Sequence, residues 1–140
     1  MEIAYPEIVY RVNPEVSSEA LNSLFATAWE GYVPGDFTAI LKHSLAYVCA
    51  YEGDKLVGFV NVAWDGGIHA FLLDTTVHRD VQHRGIGTVL VQQAAAVARE
   101  RGIEWLHVDF EPQLTGFYRG CGFKATEAGL MNLKGLKSID

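Results

Sequence analysis

The sequence predicts an α/β fold of the α+β type: a central mixed, mostly antiparallel sheet of about six to seven strands with one parallel pair, flanked by about four helices. Three observations predict it. Apolar residues alternate with a period of two in some segments and recur at a period near 3.6 in others, with glycines as punctuation between them. Glu52-Gly53-Asp54 separates two strand-like runs by a turn short enough to make them an antiparallel hairpin. Gly85 and Gly87 open a long helical pattern lying between two strand patterns, the order of a βαβ unit whose strands are parallel neighbours. At 140 residues the chain reads as a single domain, 1–140, able to bury about two-thirds of its unfolded surface in one core.

Each element has a local reason. Ile8–Val12 alternates as a strand. Ser17-Ser18 caps a helix from about Glu19 to Ala28, with Leu21, Leu24, Phe25 and Ala28 on one face. Trp29 to Gly35, with Gly31, Pro34 and Gly35, interrupts it, and a short helix follows over Phe37–His43. Ala46–Tyr51 and Leu56–Trp64 form the hairpin, which Asp65-Gly66-Gly67 ends. Phe71–Val77 is the next strand. Ile86, Val89, Leu90, Ala94, Val97 and Ala98 then recur at helical spacing until Arg101-Gly102 stops the helix. Trp105–Phe110 returns as a strand, Leu114–Gly120 is a short helix, and Phe123–Leu133 supplies one or two last strands.

Composition narrows the function. Hydrophobic residues make up 49% and charged residues 20% of the chain, a globular balance with no long apolar run to span a bilayer and no basic-then-apolar leader at the start. A cytoplasmic location and no membrane association are expected. Two cysteines, Cys49 and Cys121, are too few for a disulfide framework or a spaced zinc site, so no metal is expected. The net charge of −6 argues against nucleic-acid binding and mildly favours cationic substrates.

Gln82-His83-Arg84-Gly85-Ile86-Gly87 is the most informative stretch. Glycines without Cβ let the backbone turn sharply and approach an anion, and the helix start aims unpaired N–H groups at the same place. Arg79, His83 and Arg84 add a basic fringe. A dinucleotide fingerprint needs a third small residue where Leu90 stands, and a P-loop needs Gly-Lys-Ser/Thr where Gly87-Thr88-Val89 stands, so neither fits. The remaining pattern, Gln-x-x-Gly-x-Gly between strand and helix, resembles the acyl-CoA signature of the GNAT N-acetyltransferase superfamily. Phe117-Tyr118-Arg119-Gly120-Cys121-Gly122-Phe123 resembles its second signature, Phe-Tyr, three variable residues, then Gly-Phe. The element order is similar to the GNAT fold over essentially the whole chain.

The resemblance implies an acetyl-CoA-dependent transfer to a primary amine, by direct attack of the amine on the thioester. It implies a sheet whose parallel pair splays, with the pantetheine arm entering the gap and the Val77 N–H meeting the acetyl oxygen. It places the pyrophosphate on Gln82, His83, Arg84, Gly85, Ile86, Gly87 and Thr88, extends cofactor contact to Glu111, where many members have Asn, and makes Tyr118 the proton donor to the departing thiolate. Tyr118 equally suits a core aromatic on a short helix.

The base cannot be carried over, because the family's usual catalytic Glu corresponds here to Phe71. Other members carry a carboxylate pair in that strand, and Asp74 stands where the second falls, with Leu73 replacing the first. Asp74 is the strongest residue for the base on its own terms, since Asp is disfavoured within a strand that reads as buried. His107 and Asp109 fall on one face of the adjacent strand, so an Asp74/His107/Asp109 cluster is expected to line the splay, as catalytic or as structural polars. Trp29, Tyr32, Phe71, Asp74 and His107 are the expected acceptor-binding residues; aromatic walls also receive ammonium groups. A small-molecule amine is the leading acceptor. A protein lysine or α-amine, and a non-catalytic acyl-CoA-binding regulatory module, are the alternatives. Homodimers are common in the family, and the sequence shows no interface.

Overall fold

The structure, a computed structural model, describes residues 5–135. They divide into two compact units, one ending at Val108 and one beginning at Asp109. The first holds β1 (Ile8–Val12), α1 (Ser18–Ala28), α2 (Thr38–Lys42), β2 (Ser44–Glu52), β3 (Lys55–Trp64), β4 (His69–Val77), α3 (Ile86–Glu100) and β5 (Trp105–His107); the second holds α4 (Thr115–Gly120). The sheet order is β1-β2-β3-β4-β5, antiparallel until the last pair, in which β4 and β5 run parallel. Gly53, at φ +62°, takes a turn position where the β2–β3 hairpin needs positive φ. No described helix is long and apolar enough to cross a membrane.

Helices cover both faces of the sheet. Ser17 caps α1 by accepting the Ala20 N–H at 3.0 Å. Leu21, Leu24 and Phe25 of α1 then bury against Phe37, Cys49 and Phe59. The Phe25 ring meets that of Phe37 at a tilt at 5.2 Å and that of Phe59 edge-on at 5.9 Å, contacts worth about 0.5–1.5 kcal/mol each beyond burial. Burial among such neighbours pushes the Cys49 thiol up to about 12, so it is a core residue and not a nucleophile.

On the other face α3 buries Ile86, Leu90, Val91, Ala94 and Ala98; the expected Val89 and Val97 lie at the half-exposed flanks. The helix approaches closely because of Gly58 on β3: a Cβ there would stand 2.9 Å from Leu90 Cδ1, 3.1 Å from Ala50 Cβ and 3.3 Å from Ile86 Cγ2. Gly58 is the seat of the helix's first two turns.

Three expectations are corrected. The sheet has five strands among the described residues, not six or seven. The strand expected over Trp105–Phe110 ends at His107, because its pairing with β4 stops at Phe71↔His107 and a strand without a partner has nothing to hold it extended. Phe123–Leu133 forms no strand: only Thr126 is β-branched, Gly129 interrupts the run, and Leu130, Met131 and Leu133 stay exposed. Within the second unit, α4 closes through Gly122 at φ +102°, with the Phe123 N–H donating to Tyr118 O at 3.1 Å.

Candidate active site

The anion cradle forms where the sequence puts it. His83 and Gly85 both have positive φ, +66° and +82°, bending successive N–H groups toward one side. The first helical bond of α3 runs from the Val89 N–H to Gly85 O at 3.2 Å, so the N–H groups of Ile86, Gly87 and Thr88 have no partner inside the helix. No side chain caps them. A Cβ at Gly85 would meet nothing within 4 Å, which leaves open space over these donors. Three outward N–H groups and the positive end of a 15-residue helix suit a phosphate-type anion.

The basic fringe is partly engaged elsewhere. Arg84 stands 3.9 Å over the Tyr5 ring and 3.8 Å from Glu52 Oε2, an oxygen that is buried and makes no hydrogen bond. Arg79 braces the end of α1, its Nε donating to Thr27 O at 2.9 Å. Gln82 donates its side-chain amide to Val77 O at 3.1 Å, tying the loop to the end of β4.

That strand end is open along one edge. The His78 N–H donates to Val57 O at 2.8 Å, which makes residues 57 and 78 an exchanging pair. Alternation then turns both the N–H and the C=O of Val77 away from β3, whose Gly58 stands opposite it. On the far side β5 pairs with β4 only from His69 to Phe71, so β4 runs on to Val77 beyond its partner. The Val77 N–H therefore points to the gap along β4 beyond the end of its pairing with β5.

A bulge sits at the head of that gap. Phe59 pairs with Thr76 and Asn61 with Leu73, so Asp74 and Thr75 together oppose the single residue Val60. Asp74 adopts φ +59° there, a left-handed conformation that Asp tolerates better than most residues. The expectation of a buried strand is thus corrected: Phe71, Leu73 and Asp74 are exposed, while Leu72 and Thr76 are buried. Asp74 keeps solvent access, yet enough protein surrounds it that desolvation raises its carboxyl pKa.

Between the end of α1 and this strand lies a cleft of about 610 Å³ lined by residues 26–32, Arg79 and Gln82. It brings together the expected Trp29 and Tyr32 with Glu30, and reaches the glycine loop through Gln82. The loop that forms it is built by Asn22, which sequence reasoning missed: its Oδ1 accepts the Tyr32 hydroxyl at 2.6 Å and the Gly35 N–H at 3.0 Å. Burial, and then the Asp74 charge, raise the Tyr32 pKa. Asp74 and Tyr32 are therefore electrostatic neighbours.

Phe71, Asp74 and His107, also expected on the acceptor side, do not line this cleft. Phe71 and His107 stack on each other at 4.9 Å on the sheet face at the β4–β5 junction, and His107 Nε2 lies 2.8 Å from His69 Nδ1. Of the expected Asp74/His107/Asp109 cluster, His107 pairs with His69, and Asp109 belongs to the second unit. His69 lay just outside the expected strand; parallel register with Trp105 brings it in. In the second unit Tyr118 is buried, stacked on Phe110 at 4.8 Å and edge-on to Phe117 and Phe123. Glu111 is exposed and precedes the turn Pro112–Leu114.

Residues 11–123 match the model of the Acetyltransferase (GNAT) family. Over 87 residues, 59% of this chain and 50% of the relative, the sequence is 32% identical to the "Uncharacterized N-acetyltransferase ycf52" of Porphyra purpurea. Over 67 residues, 48% of this chain and 34% of the relative, it is 33% identical to the "Serotonin N-acetyltransferase 2, chloroplastic" of Oryza sativa subsp. japonica. The chain spans half or less of the length of these relatives. Among solved structures, a GNAT family acetyltransferase from Streptococcus pneumoniae TIGR4 superposes with a TM-score of 0.73 at 26% identity, covering 91% of this chain and 99% of that one.

Proposed function

The chain belongs to the GNAT acetyltransferase family, and we propose that it transfers the acetyl group of acetyl-CoA to a primary amine of a small molecule. The observation that carries this reading is the contiguity, along one stretch of backbone, of two sets of outward N–H groups: Val77 at the open edge of β4 and Ile86 to Thr88 at the start of α3. Acetyl-CoA, when bound, supplies an activated thioester. The N–H groups of 86–88 hold its pyrophosphate, and the Val77 N–H stabilises negative charge on the acetyl oxygen, a donor worth about 3 kcal/mol of barrier.

Asp74 takes or relays the proton of the incoming ammonium; burial raises its carboxyl pKa, in the direction of the working range of a base. Tyr118 is the proton donor to the departing thiolate that the family resemblance suggests, its phenol pKa ordinarily near 10. Trp29, Tyr32 and Glu30 suit an amine with an aromatic or aliphatic body and a cationic head: the rings supply apolar and cation–π contact and the carboxylate attracts the charge. The rice relative's name specifies serotonin, an aromatic amine of this kind. The reaction is assigned to a reducing compartment, in keeping with a chain that has only two cysteines, of which Cys49 is a core residue.

Thiol release is to be followed with acetyl-CoA and a panel of arylalkylamines, polyamines, aminoglycosides and lysine peptides, beside calorimetric titration of CoA. Turnover with small amines exceeding that with peptides supports the proposal. CoA binding with no turnover on any amine makes the chain a binding module.

A further inference from the structure

Thr76 is only 3% exposed and uses both halves of its hydroxyl. Its Oγ1 donates to the Asp74 carbonyl at 2.9 Å and accepts the Trp29 indole N–H at 3.1 Å. One proton on the oxygen fixes the direction of this chain: indole to hydroxyl to carbonyl. At one end stands a wall of the cleft, carried by the C-terminus of α1; at the other, the left-handed residue of the β4 bulge. The bulge sets the register of everything after it, including the turn of Val77 away from β3.

We infer that Thr76 is a positioning residue for acyl transfer, the link through which the cleft wall at Trp29 and the bulge that aims Asp74 and Val77 are held in one geometry. The inference rests on the acetyltransferase reading and adds to it a coupling between acceptor side and acyl side. Two features separate it from a merely satisfied core polar. Trp29 is 52% exposed, yet its indole N–H turns inward to the nearly buried Thr76 hydroxyl at 3.1 Å, which holds an otherwise exposed ring at one angle. And the Asp74 carbonyl it bonds belongs to the one bulge residue with positive φ, where a lost hydrogen bond is free to let the backbone relax.

The test compares Thr76→Val, which keeps shape and removes the hydroxyl, with Thr76→Ser, which restores it, and Trp29→Phe, which keeps a ring and removes the donor. With acetyl-CoA and 2-phenylethylamine, Thr76→Val is expected to lower kcat at least tenfold while the CoA Kd stays within twofold, and Thr76→Ser to return kcat to within threefold of wild type. Trp29→Phe is expected to raise the amine KM and lower kcat by a smaller factor. In ¹⁵N-labelled protein the Trp29 indole N–H resonance moves in Thr76→Val and returns in Thr76→Ser. A valine variant with kcat within twofold of wild type, a serine variant as impaired as valine, or an indole resonance that does not move overturns the inference. If the valine variant does not fold, Trp29→Phe decides: unchanged kcat and amine KM overturn it. If wild type acetylates no amine, the acetyltransferase reading fails, and the indole resonance still decides the bridge.

Discussion

Replacing Gly58 with alanine tests whether the seat of α3 sets the anion site. The new Cβ would lie 2.9 Å from Leu90 Cδ1, 3.1 Å from Ala50 Cβ and 3.3 Å from Ile86 Cγ2. Leu90 and Ala50 are 0% exposed and Ile86 is 2% exposed, so no neighbour has solvent to move into, and the Ala50 Cβ is fixed to its strand. Overpacking of this kind costs about 1–3 kcal/mol. Reduced freedom of the unfolded chain returns about 0.4–1 kcal/mol. The net loss runs from about 0 to 2.6 kcal/mol and centres on about 1.3 kcal/mol, where it is a fall in Tm of roughly 3–6 °C for a domain of this size. Relief comes most easily by lifting the first two turns of α3, the turns that carry Ile86 and Leu90, and that displaces the donors of residues 86–88. Calorimetric CoA titration should therefore show a Kd raised about three- to tenfold. Gly58→Ala with an unchanged or higher Tm and an unchanged Kd would refute the reasoning, since both effects come from the same contact.

At Gly85 the cause is conformation and not space: Gly85→Ala meets no neighbour but must hold φ +82°, which should cost about 1–2 kcal/mol and weaken CoA binding about tenfold, read by the same titration. Tyr118→Phe keeps the ring packed among Phe110, Phe117 and Phe123, so Tm should hold while kcat falls about 10²-fold; parallel loss of Tm and activity would make Tyr118 a core aromatic. Asp74 has a folded pKa raised by burial above its ordinary 3.8, so the folded chain binds that proton more tightly than the unfolded chain. Its contribution to stability is full below the unfolded pKa and lost as pH rises through the folded one. Asp74→Asn, which tolerates the same left-handed backbone, should match wild type in Tm at pH 3 and exceed it at pH 7, and a gap of the opposite sign would exclude the assigned cause. The same variant should lose about 10²–10⁴ in kcat/KM and flatten its acidic limb.

What was legible in the sequence is what depends on neighbours in sequence. The cradle at residues 82–88 follows from glycines, a helix start and the backbone angles they permit, all within one short segment. The cap at Ser17 and the hairpin at Gly53 are local in the same sense. What was not legible depends on register between distant segments. Gly58 reads as a weak point in a strand until Leu90 and Ile86 are seen above it. His69 joins the strand and meets His107 only because parallel pairing sets it opposite Trp105. Asn22 shapes the acceptor loop through bonds to residues 32 and 35 that no helical pattern announces. The last strands failed for the opposite reason, an expectation imported from fold order onto a segment whose own residues do not favour a strand.

Asp74 joins the two cases. Its presence in a run of Leu, Thr and Val marked it as out of place, and a physical cost was expected there. The cost, however, is not that of a carboxylate buried in a strand. It is that of a left-handed backbone at a bulge, stored where β4 carries one residue more than β3 and held by the Thr76 hydroxyl. Without that extra residue, strict pairing of β3 and β4 from Asn61↔Leu73 onward would set Gly58 opposite Thr76, and the exchanging pair at 57 would fall on Val77 in place of His78. The Val77 N–H would then be spent inside the sheet. The bulge that gives Asp74 its strain is therefore also what frees the backbone donor of Val77 from the ladder with β3.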